Sequence, residues 1–430
     1  MLKTGDQLLG QFGGMVTVKD VLGEGSQGAV YKGLNEDGSF VAVKWYSPAF
    51  QTSELRAGIS ELIMKSAPSP RFLWPDDLLI RGGEFGYSMA LRPRNYRSVP
   101  EILSRRVAIK FRELVQSANQ TVSAFKKLQS QGLFYCDISE GNLFVNPDTG
   151  DILICDNDNV GSTERLPGVL GTPRYMAPEI VRGEALPSPQ TDSYSMAILL
   201  FLLLFNDHPL EGARAARIRC LDAAAMRELY GFHPTFIFDP ADSTNRPESG
   251  VQTNASIYWS MYPAEVKEVF TKAFTVGLHD SRRRPTFADW QRALGLLQDS
   301  IVYCSNCDRQ NFYDESKAKL KCWSCASVIK TPLKLRIDDR RFLMLNRDTK
   351  LYSYQVTRRG EDPGDRGSPI GEVLKHPKID VRGLRNLGKK PWRSVNPNGV
   401  IASVVPGSSV LLSVGTKIEF EELTAEIEST

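Results

Sequence analysis

The stretch from Tyr135 to Asp158, YCDISEGNLFVNPDTGDILICDND, is the feature that most constrains what this chain can fold into. Within it, Asp137 and Asn142 lie five residues apart in a polar loop, and Asp156 follows a short apolar segment fourteen residues later. Phosphoryl transfer needs one carboxylate to accept the proton of an attacking hydroxyl, and an amide oxygen with a second carboxylate to hold magnesium. Asp and Asn are also common in ordinary turns, so this stretch alone does not distinguish a phosphoryl-transfer site from a turn. The rest of the chain must supply further motifs.

Length and charge set the limits. A chain of 430 residues predicts two to four domains. Its 53 Lys and Arg against 50 Asp and Glu imply no general attraction to nucleic acid or membrane. The longest apolar run, Tyr194–Phe205, is shorter than the ~20 residues of a membrane span, so we expect a buried helix. The opening residues lack the apolar core of a secretory signal, and the uneven cysteine spacing is typical of a reducing compartment, so we expect a cytoplasmic protein.

Residues 15–46 alternate like three strands, with a glycine pattern, G-x-G-x-x-G, between the first two at Gly23, Gly25 and Gly28. Glycine lets backbone N–H groups close over phosphates, although a plain Gly-rich hairpin gives the same pattern. A strand follows instead of a helix, which excludes a Rossmann unit. Lys44 ends the third strand, sixteen residues after the last glycine. It is either an ordinary edge lysine or the cation that reaches the α- and β-phosphates.

A helical stretch, Ser53–Ser66, carries Glu54 and Glu61. Because Glu61 lies beside apolar residues, we predict that it pairs with Lys44, and that Glu54 is a solvated charge. The glycine loop, the VAVK strand, the helix glutamate, the strand EFGYSMALRP and the Asp-rich stretch follow the order and spacing of eukaryotic-like protein kinases. The chain resembles this family from about Met15 to Gln298.

The resemblance implies an ATP pocket and roles for the acidic residues. Met89 would lie at the back of the adenine pocket, and Ala90–Pro93 would be the hinge, with Leu91 among the nucleotide contacts. Val30 and Ala42 would form its apolar lid. In the same register, the catalytic base and the two Mg²⁺ ligands are implied to be Asp137, Asn142 and Asp156, respectively.

This sequence departs from the family pattern at several positions. Cys136 replaces the arginine that binds a phosphorylated activation loop, which argues against obligate activation by loop phosphorylation. Ser139 and Gly141 replace the residues that mark serine/threonine and tyrosine kinases. Asn157 and Asp158 replace the Phe-Gly of the D-F-G motif. Without the Phe, the family's usual switch between Phe-in and Phe-out conformations is in doubt.

The most specific motif is GTPRYMAPE, Gly171–Glu179, which matches the end of a kinase activation segment. By this resemblance, Thr172 would bond the catalytic Asp, and Glu179 would pair with Arg284, 105 residues downstream. Asp192 would tie the catalytic loop to its helical base. Residues 213–262 are longer than the family's ordinary segment and are either a structural insertion or a docking surface for a dedicated substrate.

Two C-x-x-C knuckles follow the kinase-like region. Their members are Cys304, Cys307, Cys322 and Cys325. Four thiolates at this spacing close a tetrahedral Zn²⁺ site with no open position, so we predict a structural zinc ribbon. The alternative, a free thiol cluster, would leave the cysteines open to oxidation.

Alternating segments and turns after residue 330 predict a small β-sandwich or barrel. Their order faintly resembles a forkhead-associated domain, but the phosphothreonine-reading pattern is missing. Residues 330–397 hold seventeen Lys and Arg against eight Asp and Glu. We interpret them as a solvated basic face and not as a nucleic-acid site, because aromatic residues do not alternate with the basic ones.

The sequence therefore predicts an α+β, bilobal protein-kinase-like fold followed by a zinc ribbon and an all-β sandwich or barrel. The predicted segments are an N-lobe (15–93), a C-lobe (94–298), the ribbon (299–330) and the β domain (331–430). The predicted activity is Mg²⁺-dependent transfer of the ATP γ-phosphate to Ser or Thr of a protein. The alternatives are a nucleotide-binding pseudokinase scaffold, and AMP transfer, which nothing in the sequence requires.

The combination of DISEGN, DNDNV, the long insertion and the ribbon also resembles a bacterial kinase subgroup. That subgroup acts with a metal-dependent phosphatase and a von Willebrand A-type substrate protein. The resemblance implies the same kinds of partner here, and no membrane.

Overall fold

The alternating residues at the start of the chain form a closed barrel of six antiparallel strands in the order β1-β2-β3-β4-β6-β5. The computed structural model describes residues 1–166, 168–357, 362–376 and 381–430. The barrel strands are β1 (Gln7–Gly10), β2 (Met15–Glu24), β3 (Gly28–Asn35), β4 (Phe40–Tyr46), β5 (Pro75–Arg81) and β6 (Glu84–Ala90). In β3 every second residue is buried, which places Ala29 and Tyr31 in one core cluster with Trp45 of β4.

The barrel begins earlier than the sequence predicts. Strand β1 precedes residue 15 and pairs with β2 on one side and β5 on the other. Its Leu8 is fully buried in the barrel core. The alternation of buried and exposed residues spans only four residues here, between glycines and polar residues, so it is too short to give a periodic signal.

The chain forms two compact units. The first comprises 1–108, 124–199 and 230–232, and the second comprises 109–123, 200–229 and 233–430. The first unit thus joins the barrel to the Asp-rich stretch. Its further strands are β7 (Arg97–Ser98), β8 (Leu133–Phe134), β9 (Leu143–Val145), β10 (Ile152–Ile154) and β11 (Gly161–Ser162).

The helices of the first unit follow local signals. Helix α1 (Ser53–Met64) starts where the Thr52 side chain accepts the Leu55 N–H at 3.2 Å, and it buries Ile59 and Leu62. The others are α2 (Val99–Leu103), α4 (Pro178–Val181) and parts of α3 (Phe111–Ser130) and α5 (Pro189–Phe205), which run through both units.

The second unit continues with helices α6 (Ala213–Ala216), α7 (Ala223–Met226), α8 (Thr253–Met261), α9 (Ala264–Phe274), α10 (Val276–His279) and α11 (Phe287–Asp299). Aromatic packing organises them: the rings of Phe201 and Phe205 in α5 stack at 4.2 Å, and both contact Phe270 of α9. The apolar run in α5 is therefore a buried core element. Among the described residues, no helix combines the length and apolar character needed to cross a membrane.

Two antiparallel sheets make up the described part of residues 331–430. The six-stranded sheet has the order β15-β14-β23-β22-β19-β20, and the four-stranded sheet has the order β16-β17-β18-β21. Their strands are β14 (Lys334–Arg336), β15 (Phe342–Met344), β16 (Lys350–Leu351), β17 (Gly371–Lys375), β18 (Arg382–Asn386), β19 (Trp392–Val395), β20 (Ile401–Val404), β21 (Ser409–Leu411), β22 (Lys417–Glu419) and β23 (Thr424–Glu428). One apolar cluster draws side chains from both sheets, as a sandwich requires.

Gly28 at the start of β3 offers a test of the barrel. A Cβ at this position would come within 2.0 Å of the Trp45 carbonyl oxygen. We expect Gly28→Ala to lower the free energy of unfolding by about 1–3 kcal/mol, because the two strands must separate to fit the methyl group. Gly23→Ala is the matched control, since nothing lies within 4 Å of its Cβ position. Denaturant titration of both variants checks this, and equal stability would contradict it.

Candidate active site

The catalytic loop is held by backbone hydrogen bonds to one buried carboxylate. The N–H groups of Tyr135 and Cys136 donate to Asp192 of α5 at 2.5 and 3.1 Å. Cys136 has a φ of 69°, which an L-residue adopts only when the surroundings fix it. The resemblance implies that Asp192 binds the catalytic loop, and these two hydrogen bonds are present. They fix the backbone immediately before Asp137.

The Asp137 carboxylate accepts hydrogen bonds from two of the predicted site residues. The Thr172 hydroxyl donates to its Oδ1 at 2.7 Å, and Nδ2 of Asn142 donates to its backbone oxygen at 2.9 Å and its Oδ2 at 3.4 Å. The residue before Thr172 is Gly171, with φ 108°, where a Cβ would lie 2.8 Å from the Cys136 oxygen. Because Gly171 has no Cβ, the backbone can approach this closely, and the Thr172 side chain can then reach Asp137. The three predicted residues Asp137, Asn142 and Thr172 are therefore brought together, and the carboxylate can accept a proton from a bound hydroxyl.

Asp192 should make stability depend on pH. Burial raises its pKa to about 7, against the opposing effect of the N–H groups of Tyr135 and Cys136. Because the folded pKa is above the unfolded one of 3.8, the stability that protonation gives is present below about pH 4 and lost as pH rises toward 7.

We therefore expect Asp192→Asn to flatten the fall in melting temperature between pH 5 and pH 7.5, since Asn does not titrate. Circular dichroism melts of the variant and the wild type measure the difference. Asp20→Asn, at an exposed position, is the control that should keep the wild-type slope. An unchanged slope in Asp192→Asn would contradict the prediction.

Lys44 is buried and paired with the residue two positions after the predicted metal ligand. Its Nζ lies 3.0 and 2.8 Å from the two carboxylate oxygens of Asp158, and 3.5 Å from Asp156. It also donates to the Gln27 side chain of the glycine loop at 3.2 Å. Burial opposes the charge on Lys44, but the two carboxylates outweigh it and raise its pKa. The ammonium therefore stays charged at the predicted phosphate site.

The prediction that Lys44 pairs with Glu61 is wrong, because each of the two residues has other partners in the structure. Glu61 instead accepts from Lys65, just past the end of α1, at 2.6 Å, and from Arg165 at 3.3 Å. Asp158 supplies the partner of Lys44 because its carboxylate is buried beside the ammonium. Sequence reasoning treated Asp158 only as a departure from D-F-G. The sequence feature that could have indicated this role is the carboxylate of Asp158 at the position where the D-F-G motif has a glycine.

Asp156 and Asn142 have the chemistry of a magnesium site. Asp156 adopts a left-handed conformation, with φ 53° and ψ 46°, and its side chain is 41% exposed. The Cys155 N–H donates to the Asn142 carbonyl oxygen at 3.0 Å, which joins the loop to the end of β10. Among the described residues, none donates a hydrogen bond to Oδ1 of Asn142. An amide oxygen and a carboxylate oxygen left available suit Mg²⁺.

The predicted adenine-pocket residues share one apolar cluster of the barrel. Ala42 of β4 lies opposite Met89 of β6 in the strand pairing. Val30 and Leu91 pack against the same cluster. The predicted hinge begins at the end of β6, at Ala90.

Two of the loop glycines close a tight turn. The Gly25 N–H donates to the Gly28 oxygen at 2.8 Å, and the reverse bond measures 3.4 Å. Gly23 pairs with Val30 inside the strand ladder, and nothing lies within 4 Å of its Cβ position. The pattern therefore forms the β2–β3 hairpin, and its phosphate contacts stay a prediction.

Glu179 and Arg284 belong to different units. Glu179 lies in α4 of the first unit. Arg284 is buried in the second unit, where its Nε donates to the Gly277 oxygen at 3.0 Å. Their predicted pairing stays a prediction.

The four paired cysteines converge in the second unit. The Sγ atoms of Cys304 and Cys325 are 3.6 Å apart, as are those of Cys307 and Cys322. All four Sγ atoms lie within 4.8 Å of one another. The two knuckles have the same shape, because each second cysteine is followed by a residue with positive φ, Asp308 at 57° and Ala326 at 59°. Tetrahedral Zn–S bonds of about 2.3 Å require sulfurs about 3.8 Å apart, so the thiols fit zinc.

Comparison with known proteins supports the same assignment. Residues 16–290 match the family model described as the protein kinase domain. NUAK family SNF1-like kinase 2 of Rattus norvegicus is 25% identical over 309 residues, covering 66% of this chain and 47% of the relative. Dual specificity protein kinase shkB of Dictyostelium discoideum is 24% identical over 303 residues, covering 65% and 41%. The match thus spans less than half the length of these relatives.

The family model covers nearly two thirds of the chain, including the barrel, the catalytic loop and the activation segment. This confirms the protein-kinase domain predicted for about Met15–Gln298. The chain belongs to the protein kinase family.

Proposed function

We propose that this chain is an ATP-dependent protein kinase that transfers the γ-phosphate to a Ser or Thr hydroxyl of a dedicated protein partner. The observation that carries the proposal is the Asp137 carboxylate, which accepts from the Thr172 hydroxyl at 2.7 Å and from the Asn142 amide at 3.4 Å. ATP and Mg²⁺ come with membership of the family. The Ser/Thr acceptor is supported by the similarity to kinases such as serine/threonine-protein kinase plk-1 of Caenorhabditis elegans, 32% identical over 119 residues.

The mechanism rests on positioning and charge. Asp137 orients the acceptor hydroxyl and takes its proton as the oxygen attacks the γ-phosphorus, and the bond from that phosphorus to the bridging oxygen breaks so that ADP leaves. Lys44 neutralises the phosphates from the barrel side. Asn142 and Asp156 would hold Mg²⁺, which supplies further neutralisation of the triphosphate charge. Because these groups are fixed before the reaction, the barrier falls without reorganisation during the chemical step.

Labelled nucleotide tests the reaction class. Incubation with γ-labelled ATP and Mg²⁺ should label protein, whereas α-labelled ATP should not, and acid hydrolysis should release phosphoserine or phosphothreonine. Label from α-labelled ATP would instead establish AMP transfer. The acceptors to use are the chain itself and a basic model protein.

A second candidate is a nucleotide-binding scaffold without transfer. Asn157 and Asp158 in place of Phe-Gly favour it, together with Ser139 at the position of the phosphate-directed lysine. The oriented Asp137 carboxylate argues against it, since nucleotide binding alone has no need of a base. Stabilisation by Mg²⁺-ATP in a thermal melt, with no label on any acceptor, would favour the scaffold.

The finer assignments are also proposals. A structural Zn²⁺ is supported by the convergence of the four thiols. A von Willebrand A-type substrate and a cognate phosphatase rest on the resemblance to the bacterial subgroup. When such a protein is supplied, its failure to accept phosphate would contradict the partner assignment.

A further inference from the structure

Lys44, the lysine of the predicted phosphate site, pairs with a different carboxylate from the one that the sequence predicts. Lys44 lies between the two carboxylate oxygens of Asp158, at 3.0 and 2.8 Å, and not beside the glutamate of helix α1. We propose that Asp158 is the positioning residue that holds Lys44 toward the phosphates of a bound nucleotide. This deepens the proposed function, but it depends only on nucleotide binding and not on transfer.

Asp158 is itself held by the barrel. The Tyr46 hydroxyl donates to its Oδ2 at 2.5 Å, and the Tyr87 hydroxyl lies 3.5 Å from its Oδ1. Both rings are buried, on the neighbouring strands β4 and β6, and the Asp158 side chain is 1% exposed. The carboxylate thus has donors from the same two strands that carry Lys44 and the adenine cluster. Its position depends on the barrel and on the β10–β11 segment.

Helix α1 is engaged elsewhere. Glu61 binds Lys65 and Arg165, and the Arg165 side chain lies over Gly58, where a Cβ would come within 2.4 Å of its Nη1. Arg165 also donates to the Val160 oxygen at 3.0 Å. The glutamate therefore joins α1 to the segment after β11. Loss of its charge leaves the Lys44–Asp158 pair intact.

A buried ion pair fixed in this way has a measurable consequence. If Asp158 is removed, the ion-pair and hydrogen-bond partners left to Lys44 among the described residues are Asp156 at 3.5 Å and the neutral Gln27 side chain at 3.2 Å. The ammonium then turns toward Asp156, which is itself a predicted metal ligand. Phosphate binding should suffer, while the apolar contacts of the adenine ring are untouched.

Calorimetry on the full chain tests the proposal with two probes, Mg²⁺-AMP-PNP and adenosine. We expect Asp158→Asn to weaken AMP-PNP binding by about 10-fold or more, the effect of a lost charged hydrogen bond, and adenosine binding by less than about 2-fold. Glu61→Gln is the matched control, and should change both by less than about 2-fold. Tyr46→Phe keeps the charge and the ring, and should weaken AMP-PNP by an intermediate factor.

A double variant shows whether Asp158 acts through Lys44. Lys44→Met with Asp158→Asn should bind AMP-PNP as Lys44→Met alone does, because the carboxylate has nothing left to position. Equal weakening of both probes would mark a structural role and overturn the proposal. Tighter AMP-PNP binding would also overturn it, since Asp158 would then compete with the phosphates. Binding of both probes without any transfer contradicts only the proposed kinase activity.

Discussion

Asp137→Asn is expected to lower the rate of phosphate transfer by about 10²–10⁴-fold, the usual contribution of a positioned base. The amide keeps the size of the carboxylate and can still accept the Thr172 hydroxyl bond of 2.7 Å. It cannot take the proton of the acceptor. Initial rates with γ-labelled ATP measure the effect, and the affinity for Mg²⁺-AMP-PNP should stay within about 2-fold, because the base contacts the acceptor and not the nucleotide.

The control for this prediction is Asp148→Asn. Asp148 is an exposed carboxylate in the turn between β9 and β10, eleven residues from Asp137 on the same stretch. It should retain the wild-type rate. If Asp137→Asn keeps the wild-type rate as well, then the carboxylate is not the base. If the wild type transfers no phosphate either, the scaffold alternative gains support.

The sequence predicted the catalytic loop well because its contacts are local or belong to a spaced motif. Asp137 and Asn142 are five residues apart in one loop, and the resemblance of GTPRYMAPE to a kinase activation segment implied Thr172 as the partner of Asp137. The barrel strands that carry Lys44 and Met89 were also predicted, although the structure buries five consecutive residues in each of them and not every second one. Predicting these features did not require knowing which side chains distant in sequence contact each other.

The partner of Lys44 could not be predicted in this way. Glu61 and Asp158 are both carboxylates, and the choice between them depends on burial and on hydroxyl donors. Tyr46 and Tyr87 come from strands far apart in sequence from Asp158, so no local pattern reveals that they meet there. Strand β1 was missed for a related reason, since its pairing with β5 spans some seventy residues.

Loss of the second cysteine knuckle should have the largest structural effect. We expect the double variant Cys322→Ser, Cys325→Ser to lose bound zinc and the order of the ribbon, because structural zinc contributes about 10–16 kcal/mol in small zinc domains. Cys304 and Cys322 lie in one apolar cluster with Phe342 of β15, so the loss should reach the adjoining sheet. Metal analysis and hydrogen exchange of β12 (Ile301–Tyr303) and β13 (Gln310–Phe312) measure it.

The matched control is Cys220→Ser, which removes an exposed thiol outside the cluster and should change neither zinc content nor exchange. Nucleotide affinity should survive in the double variant, since Lys44, Asp137 and Asp156 all belong to the first unit. A chelator should reproduce the loss of the ribbon in the wild-type chain, because the metal and not the cysteine side chains supplies the cross-link. Unchanged protection of β12 and β13 after removal of the knuckle would show that the apolar cluster alone holds this region. Absence of zinc from the wild-type chain would show that the thiols are a free cluster and not a zinc site.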